Sequence, residues 1–261
     1  MIDASPSTLR IAAYNILEGG MGRLDPIAQT LGTLQADLIA LIEANDPRAV
    51  AYLAECTGMH HALAESPTGR FHVALLSRHP IRQMLNLGVK HRSLSRAAML
   101  ANIEVRGRPL RMGVFHLQSG LGRECEDQRL KELEWLLRDL GDGATPTVLA
   151  GDFNTNAPWH PIDVERAEPS VRRRLRADPA LVCHDVVEQL TAAGWAEAYH
   201  RAHPDQPVHT FSTGFPSTRL DYIFADHTLA DRVTGAGVET RGFAPYCSDH
   251  FPLYADLKWE E

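Results

Sequence analysis

Six places in the chain set polar residues at the end of an apolar run or inside one: Asn15, Glu43, His116, Asp152 with Asn154, Asp221, and Asp249 with His250. Strand ends project side chains at a sheet rim, where ligands commonly bind, so these residues are the first candidates for chemistry. Glu43 follows Leu38-Ile39-Ala40-Leu41-Ile42. A carboxylate there is costly to bury unless water, a cation or a basic side chain meets it. A metal is the sharper reading, a helix cap or surface carboxylate the simpler one. In Gly151-Asp152-Phe153-Asn154 the i and i+2 side chains point the same way, so Asp152 and Asn154 can share one ligand while Phe153 packs backwards. An Asx turn would also explain that tetrapeptide, backbone bonding would explain Asn15, and a cap or turn would explain Ser248-Asp249-His250.

Asp221 lies in the apolar and aromatic run Leu220-Asp221-Tyr222-Ile223-Phe224. A buried carboxylate needs a donor such as an imidazole N–H, and His250 is the candidate partner. Such a pair fixes the imidazole tautomer and favours its protonated form, which suits charge developing on a phosphorane. Of the 13 histidines, scattered ones such as His60, His61, His79, His91, His200 and His227 read as surface or core residues. No His-Glu-x-x-His, Gly-x-x-x-x-Gly-Lys or Gly-x-Ser-x-Gly pattern occurs.

The elements that position these residues follow from the apolar patterning. Leu9–Leu17 reads as a strand, Asp25-Pro26 caps a helix towards Ala36, Asp37–Glu43 is a strand covered on both faces, and Pro47 opens a helix to about Cys56. Strands then follow without helices at 72–78, 84–89, 98–105 and 110–117, with Arg106-Gly107-Arg108-Pro109 as a hairpin turn. Residues 124–140 carry leucines at helical spacing, and 147–150 is a buried strand. A helix around 183–193 lies within an irregular stretch, 156–208, expected to cover one mouth of the sheet; its run Arg172–Arg176 reads as a solvated helix face. Strands at 220–225, 233–239 and 252–258 close the chain. With no repeat or linker, we expect one α/β domain over residues 1–261, with two packed sheets.

Composition narrows the class further. The 261 residues carry 26 Lys plus Arg against 33 Asp plus Glu, a net charge of −7, which argues against a general nucleic-acid coat protein. Hydrophobic residues make up 44% and charged residues 23%, enough for a large core and too ordered a mix for disorder. No apolar run approaches the roughly 18 residues that span a bilayer. Met1-Ile2-Asp3-Ala4-Ser5-Pro6 lacks the basic and apolar segments of a secretion signal, and four dispersed cysteines form neither a zinc motif nor a disulfide scaffold. A cytoplasmic protein with reduced thiols is expected.

Read in order, Tyr14-Asn15-Ile16, Leu41-Ile42-Glu43, Val73–Ile81, Val114-Phe115-His116-Leu117, Gly151–Asn154, Leu220–Phe224 and Ser248-Asp249-His250-Phe251-Pro252 resemble the endonuclease/exonuclease/phosphatase superfamily over nearly the whole chain. The resemblance implies a four-layer α/β sandwich, two packed mixed β-sheets flanked by helices, with a metal-dependent phosphoesterase site at one rim. It implies Glu43 as the principal Mg²⁺ ligand with Asn15 and Asp249 nearby, and Mn²⁺ able to substitute. Asp152 would orient or deprotonate the attacking water and Asn154 would hold that water or a phosphate oxygen. His250, supported by Asp221, would stabilise the transition state, and His116 would grip another phosphate oxygen.

Two departures stand out. Some family members carry a carboxylate two residues after the Asn matched by Asn15, where this chain has Leu17 and then Glu18; Arg70-Phe71-His72 also replaces a Gly-containing approach to Val73. The substrate class stays open between a small or lipid-derived phosphodiester, a phosphomonoester, and DNA or RNA, for which a basic groove would be expected. A binding module without turnover and a zinc hydrolase are the rivals, the latter disfavoured by a set rich in carboxylate and amide oxygen.

Overall fold

The computed structural model describes residues 7–141 and 143–259; the amino-terminal hexapeptide read above lies outside the described residues. The described strands are β1 (Thr8–Asn15), β2 (Leu38–Ile42), β3 (His60–Ala64), β4 (Val73–Ser77), β5 (Ile81–Asn86), β6 (Ala98–Val105), β7 (Arg108–His116), β8 (Thr147–Asp152), β9 (Ala196–Glu197), β10 (Asp221–Ala225), β11 (Val233–Val238) and β12 (Leu253–Lys258). They form two six-stranded mixed sheets, ordered β11-β12-β1-β2-β4-β3 and β5-β6-β7-β8-β10-β9. At the centre of each sheet is a parallel pair, β1 with β2 and β7 with β8, flanked by antiparallel neighbours.

Strand alternation explains the layering. In β1, Leu9, Ile11 and Ala13 pack between the sheets, whereas Ala12 and Tyr14 face helices α1 (Leu24–Leu34) and α2 (Pro47–Thr57). All five residues of β2 are buried, as its unbroken apolar run requires when both faces are covered. A one-turn helix, α3 (Leu87–Lys90), follows β5. On the second sheet Leu149 packs outward against Leu133 and Leu136 of α4 (Arg123–Arg138). The layers are therefore helix, sheet, sheet, helix: the expected four-layer α/β sandwich.

Three local expectations need correction. Only Arg106 and Gly107 make the β6–β7 turn, both at positive φ (51° and 79°), as a two-residue hairpin demands; Arg108 and Pro109 are paired with Val105 and Glu104. Pro109 is tolerated because β8 begins pairing with β7 only at Arg111. The strand expected over 84–89 ends at Asn86, whose side chain accepts the Gly88 N–H at 2.9 Å and caps α3. A strand at His60–Ala64, unforeseen, forms the edge of the first sheet. Residues 156–208 hold α5 (Pro169–Ala177), α6 (Asp185–Ala192), β9 and α7 (Ala198–Ala202) between loops. The basic run lies on α5, where Arg173, Arg174 and Arg176 are exposed. A last short helix, α8 (Ala244–Cys247), precedes Ser248. All four cysteines are free, and no described helix is long and apolar enough to cross a membrane.

Candidate active site

Four strands carry their inter-sheet side-chain series into a polar last member. Leu9, Ile11 and Ala13 lead to Asn15; Met112 and Val114 to His116; Val148 and Ala150 to Asp152; and Ala225 and Ile223 run back to Asp221. The site is the final layer of the inter-sheet core, with polar atoms in place of methyl groups. The parallel pairs bring the carboxyl ends of β1, β2, β7 and β8 to one rim. Antiparallel β10 begins there, Asp221 opposite Asp152, and so does β12, whose Leu253 pairs with Ala13 just after Asp249 and His250. Gly151 is needed at its place: at φ +148° a Cβ would lie 1.9 Å from the carbonyl oxygen of Phe115, so β7 presses on β8 just before Asp152.

Asn15, Glu43, His116, Asp152, Asn154, Asp249 and His250 all line one cavity of about 370 Å³. Asp221 is fully buried behind His250 and accepts from its Nδ1 at 2.8 Å. The other ring nitrogen of His250 is 3.7 Å from Asp152 Oδ2, which also accepts from Asn15 Nδ2 at 3.1 Å. Asp152 Oδ1 accepts the Asn154 N–H at 2.9 Å, and Asn154, at φ +51°, donates through Nδ2 to the Leu117 carbonyl. Glu43 also has positive φ, 59°, which turns its carboxylate out of strand alternation and into the cleft, where Oε2 accepts the Glu18 N–H at 2.9 Å.

These distances set the protonation states. Burial opposes charge on the His250 imidazole, but the adjoining Asp221, then Asp152 and Asp249, outweigh it and push the pKa up to about 10. Burial raises the Asp152 carboxyl to about 7, with Asp221 adding to the rise and His250, Asn15 and the Asn154 N–H opposing it. His116 is held well below its ordinary value by burial, then by Arg96 and His250, and is neutral. Since a guanidinium only donates, the 3.0 Å contact from Arg96 Nη1 makes His116 Nε2 the acceptor.

The oxygen set Glu43, Asn15 and Asp249 fits a hard divalent cation. Glu43 is 9% exposed, and among the described residues neither it nor Asp249 forms an ion pair with a lysine or arginine, so a buried acid lacks a cationic partner. Asp152, Asp221 and His250 also place ligand atoms within 4.8 Å of one another. In that cluster Nδ1 is already bonded to Asp221, and a protonated imidazole repels a cation.

Arg96 was missing from the candidates. It is 9% exposed and lines the cavity; Nη1 reaches His116, Nη2 donates to Ser119 Oγ at 2.6 Å, and Nε has no hydrogen-bond partner. Its signal was available, since it precedes the apolar strand 97–101 as an arginine at a strand end. Both departures noted in the sequence now have a place. Phe71 packs its ring 4.0 Å from the Arg96 guanidinium carbon and edge-on to His116, while His72 turns away to accept the Ser66 N–H. Glu18 is exposed and lies 3.7 Å from Arg70.

The model of the Endonuclease/Exonuclease/phosphatase family matches residues 12–250. The chain belongs to this family. Among curated relatives it is 28% identical over 199 residues to the uncharacterized protein YbhP of Escherichia coli, and to that of Shigella flexneri; the match covers 73% of this chain and 64% of theirs. Solved structures of the same fold include the endonuclease/exonuclease/phosphatase from Beutenbergia cavernae, at 19% identity and TM-score 0.73, covering 97% of this chain and 72% of that one. The 3′ phosphatase NExo from Neisseria bound to product DNA hairpin gives 18% identity and TM-score 0.72, covering 96% and 100%. An AP endonuclease from Archaeoglobus fulgidus gives 21% identity and TM-score 0.68, covering 95% and 98%.

Proposed function

We propose that this family member is a divalent-metal-dependent phosphoesterase that hydrolyses a phosphodiester, or a phosphomonoester, with an activated water. The observation that carries the reading is the buried Asp221–His250 pair facing Asp152, set in one cavity with Asn15, Glu43 and Asp249, two carboxylates that no lysine or arginine neutralises among the described residues. Residues 1–261 are read as one such domain, with 156–208 elaborating one mouth of the cleft.

Asp152 in its carboxylate form accepts the proton of the attacking water, and Asn154 orients that water or a phosphate oxygen. The protonated His250 donates to the oxygen where charge develops, and Asp221 keeps the imidazole in that state and orientation. Arg96 grips a second phosphate oxygen, and neutral His116 fixes one of its guanidinium nitrogens. Glu43, Asn15 through Oδ1, and Asp249 would hold Mg²⁺ or Mn²⁺, which when bound supplies charge neutralisation and Lewis-acid polarisation at the phosphoryl group.

The test is hydrolysis by EDTA-stripped protein with Mg²⁺, Mn²⁺ or Zn²⁺ restored, and Glu43→Ala as control. Release of p-nitrophenol from bis-p-nitrophenyl phosphate with Mg²⁺ or Mn²⁺, absent in the control, is expected. Restoration by Zn²⁺ alone, or full activity in Glu43→Ala, overturns the reading. A nuclease is the second reading, favoured by the likeness to the Neisseria phosphatase bound to product DNA hairpin and to the Archaeoglobus AP endonuclease. Single-stranded DNA, abasic duplex and RNA in the same assay separate it. A binding module without turnover gives no reason to hold a charged imidazole against Asp152.

A further inference from the structure

Beyond Asn154 and His250 the cleft continues as a surface of another kind. Its walls are Leu121, Ile162, Val171, Leu181, Phe211 and Phe215, drawn from the loop before α4, the 156–183 stretch and the 211–220 stretch. These segments are tied to one another by backbone: the Gly122 N–H donates to Leu181 at 2.9 Å, and the Asp163 N–H to Ser217 at 2.8 Å. The wall begins at the reacting centre itself, for the Phe211 ring centroid lies 4.8 Å from that of the His250 imidazole.

The charges around the cavity say how many phosphates it can hold. Among the described residues two guanidinium groups line it. That of Arg129 is consumed, through Nε by Glu126 at 2.7 Å and through Nη1 by the carbonyls of Gln118 and Gly120. Arg96 is left, beside His116. Further along, α5 turns Val171 to the cavity, and Glu168 at its start also lines it, a carboxylate whose oxygens accept the Ser170 N–H and hydroxyl and which disfavours a second phosphate there. No arginine of the basic run lines the cavity: Arg172 donates to the Glu165 carbonyl, Arg176 pairs with the Glu165 carboxylate, and Arg173 and Arg174 are exposed. A nucleic-acid strand laid along this cleft would carry successive phosphates past the apolar end, where no further lysine or arginine lines the cavity to offset their charge.

Resting on the phosphoesterase reading above, we propose that the substrate is a phosphoester with one phosphate and one compact, uncharged apolar group such as an aryl ring. That group seats against Leu121, Ile162, Val171, Leu181, Phe211 and Phe215 while the phosphate sits at Asp152, Asn154 and His250. A cavity of about 370 Å³ is at the small end of the roughly 300–1,000 Å³ that small-ligand sites occupy.

The experiment holds the leaving group constant and varies the other. The full chain, supplied with Mg²⁺ or Mn²⁺, is assayed on the p-nitrophenyl diesters of methyl phosphate, phenyl phosphate and thymidine 5′-phosphate. The phenyl ester should exceed the methyl ester in kcat/KM by about 10-fold or more, from burial of the added ring at about 25 cal/mol per Å². The thymidine ester should stay at or below the methyl ester, because its polar groups lose water against an apolar wall. In Val171→Trp and Leu181→Trp, both at half-exposed positions, the phenyl-to-methyl ratio should fall towards one, whereas general damage would lower both rates together. Equal rates on phenyl and methyl esters, the thymidine ester as the best substrate, or a ratio unmoved in both tryptophan variants overturns the inference and leaves the phosphoesterase reading standing. No hydrolysis of any ester with metal supplied overturns that reading and the inference with it.

Discussion

The two ends of the cleft are built by different means. The acidic end is cut from strands: Asn15, His116, Asp152 and Asp221 are terminal members of side-chain series whose other members form the inter-sheet core. The apolar end is cut from loops and short helices, and two of the stretches that supply it, 156–183 and 211–220, are joined by a buried polar network. In that network Arg219 pairs with Glu197 at 2.8 Å and donates through Nε to His160 Nδ1 at 3.1 Å, and His160 Nε2 donates to the Gln206 carbonyl. A sheet edge is fixed by many ladder bonds at once, whereas a loop wall depends on a few contacts. Chemistry that tolerates little displacement therefore sits on the strands or close beside their ends, as Glu43, Asn154, Arg96, Asp249 and His250 do, and the surface that selects a substrate sits on segments able to vary.

The largest expected effect tests the acidic end. Asp152→Asn and His250→Ala should each lower kcat on every ester by about 10³-fold or more, because both groups act on charge present mainly in the transition state. Circular dichroism should show the fold retained; near-normal turnover in either variant would break the division of labour. Next, Asp221→Asn should cost about 10²-fold in kcat with KM little changed, since Asp221 acts only through the orientation and charge of His250. A rise in KM alone would instead place Asp221 in substrate binding. Arg96→Ala should raise KM for the methyl and phenyl diesters alike by about 10-fold, and Arg96→Lys should not restore it, because one ammonium cannot reach both His116 and Ser119 as the fork does. Loss confined to the phenyl ester would move Arg96 to the other end of the cleft.

The smallest effect reads the support of the loop wall. Burial, then the neighbouring Arg219, lowers the His160 pKa to about 4. As pH falls below the ordinary 6.5 the unfolded chain takes up this proton before the folded one. The stabilising contribution is therefore full above 6.5 and is lost as pH drops towards 4. Urea unfolding between those pH values should show on the order of 2 kcal/mol of acid sensitivity that His160→Asn removes. An unchanged slope in the variant would mean that another group carries it.

Most of the acidic end could be read from residue order, since a polar residue closing an apolar alternating run has few places to go but the rim. Glu43 was visible as chemistry but not as geometry: strand alternation would have sent it to the other face, and only its positive φ brings it into the cleft. Arg96 stands at the same rim because antiparallel β6 begins there, but in the sequence an arginine ahead of an apolar run reads as a solvated side chain. The apolar end was illegible for a physical reason. Ile162, Val171 and Leu181 belong to stretches without strand or extended helix periodicity, so nothing in their spacing announces that they converge.

Phe211 forms backbone bridges with both Thr218 and His250. Guest preference and acid placement are thereby coupled through one residue, and a lineage cannot retune one through segment 211–218 without disturbing the other. Diversification towards bulkier guests should then proceed by substitution at Leu121, Val171 and Leu181, with Phe211 left in place as the hinge between selectivity and rate.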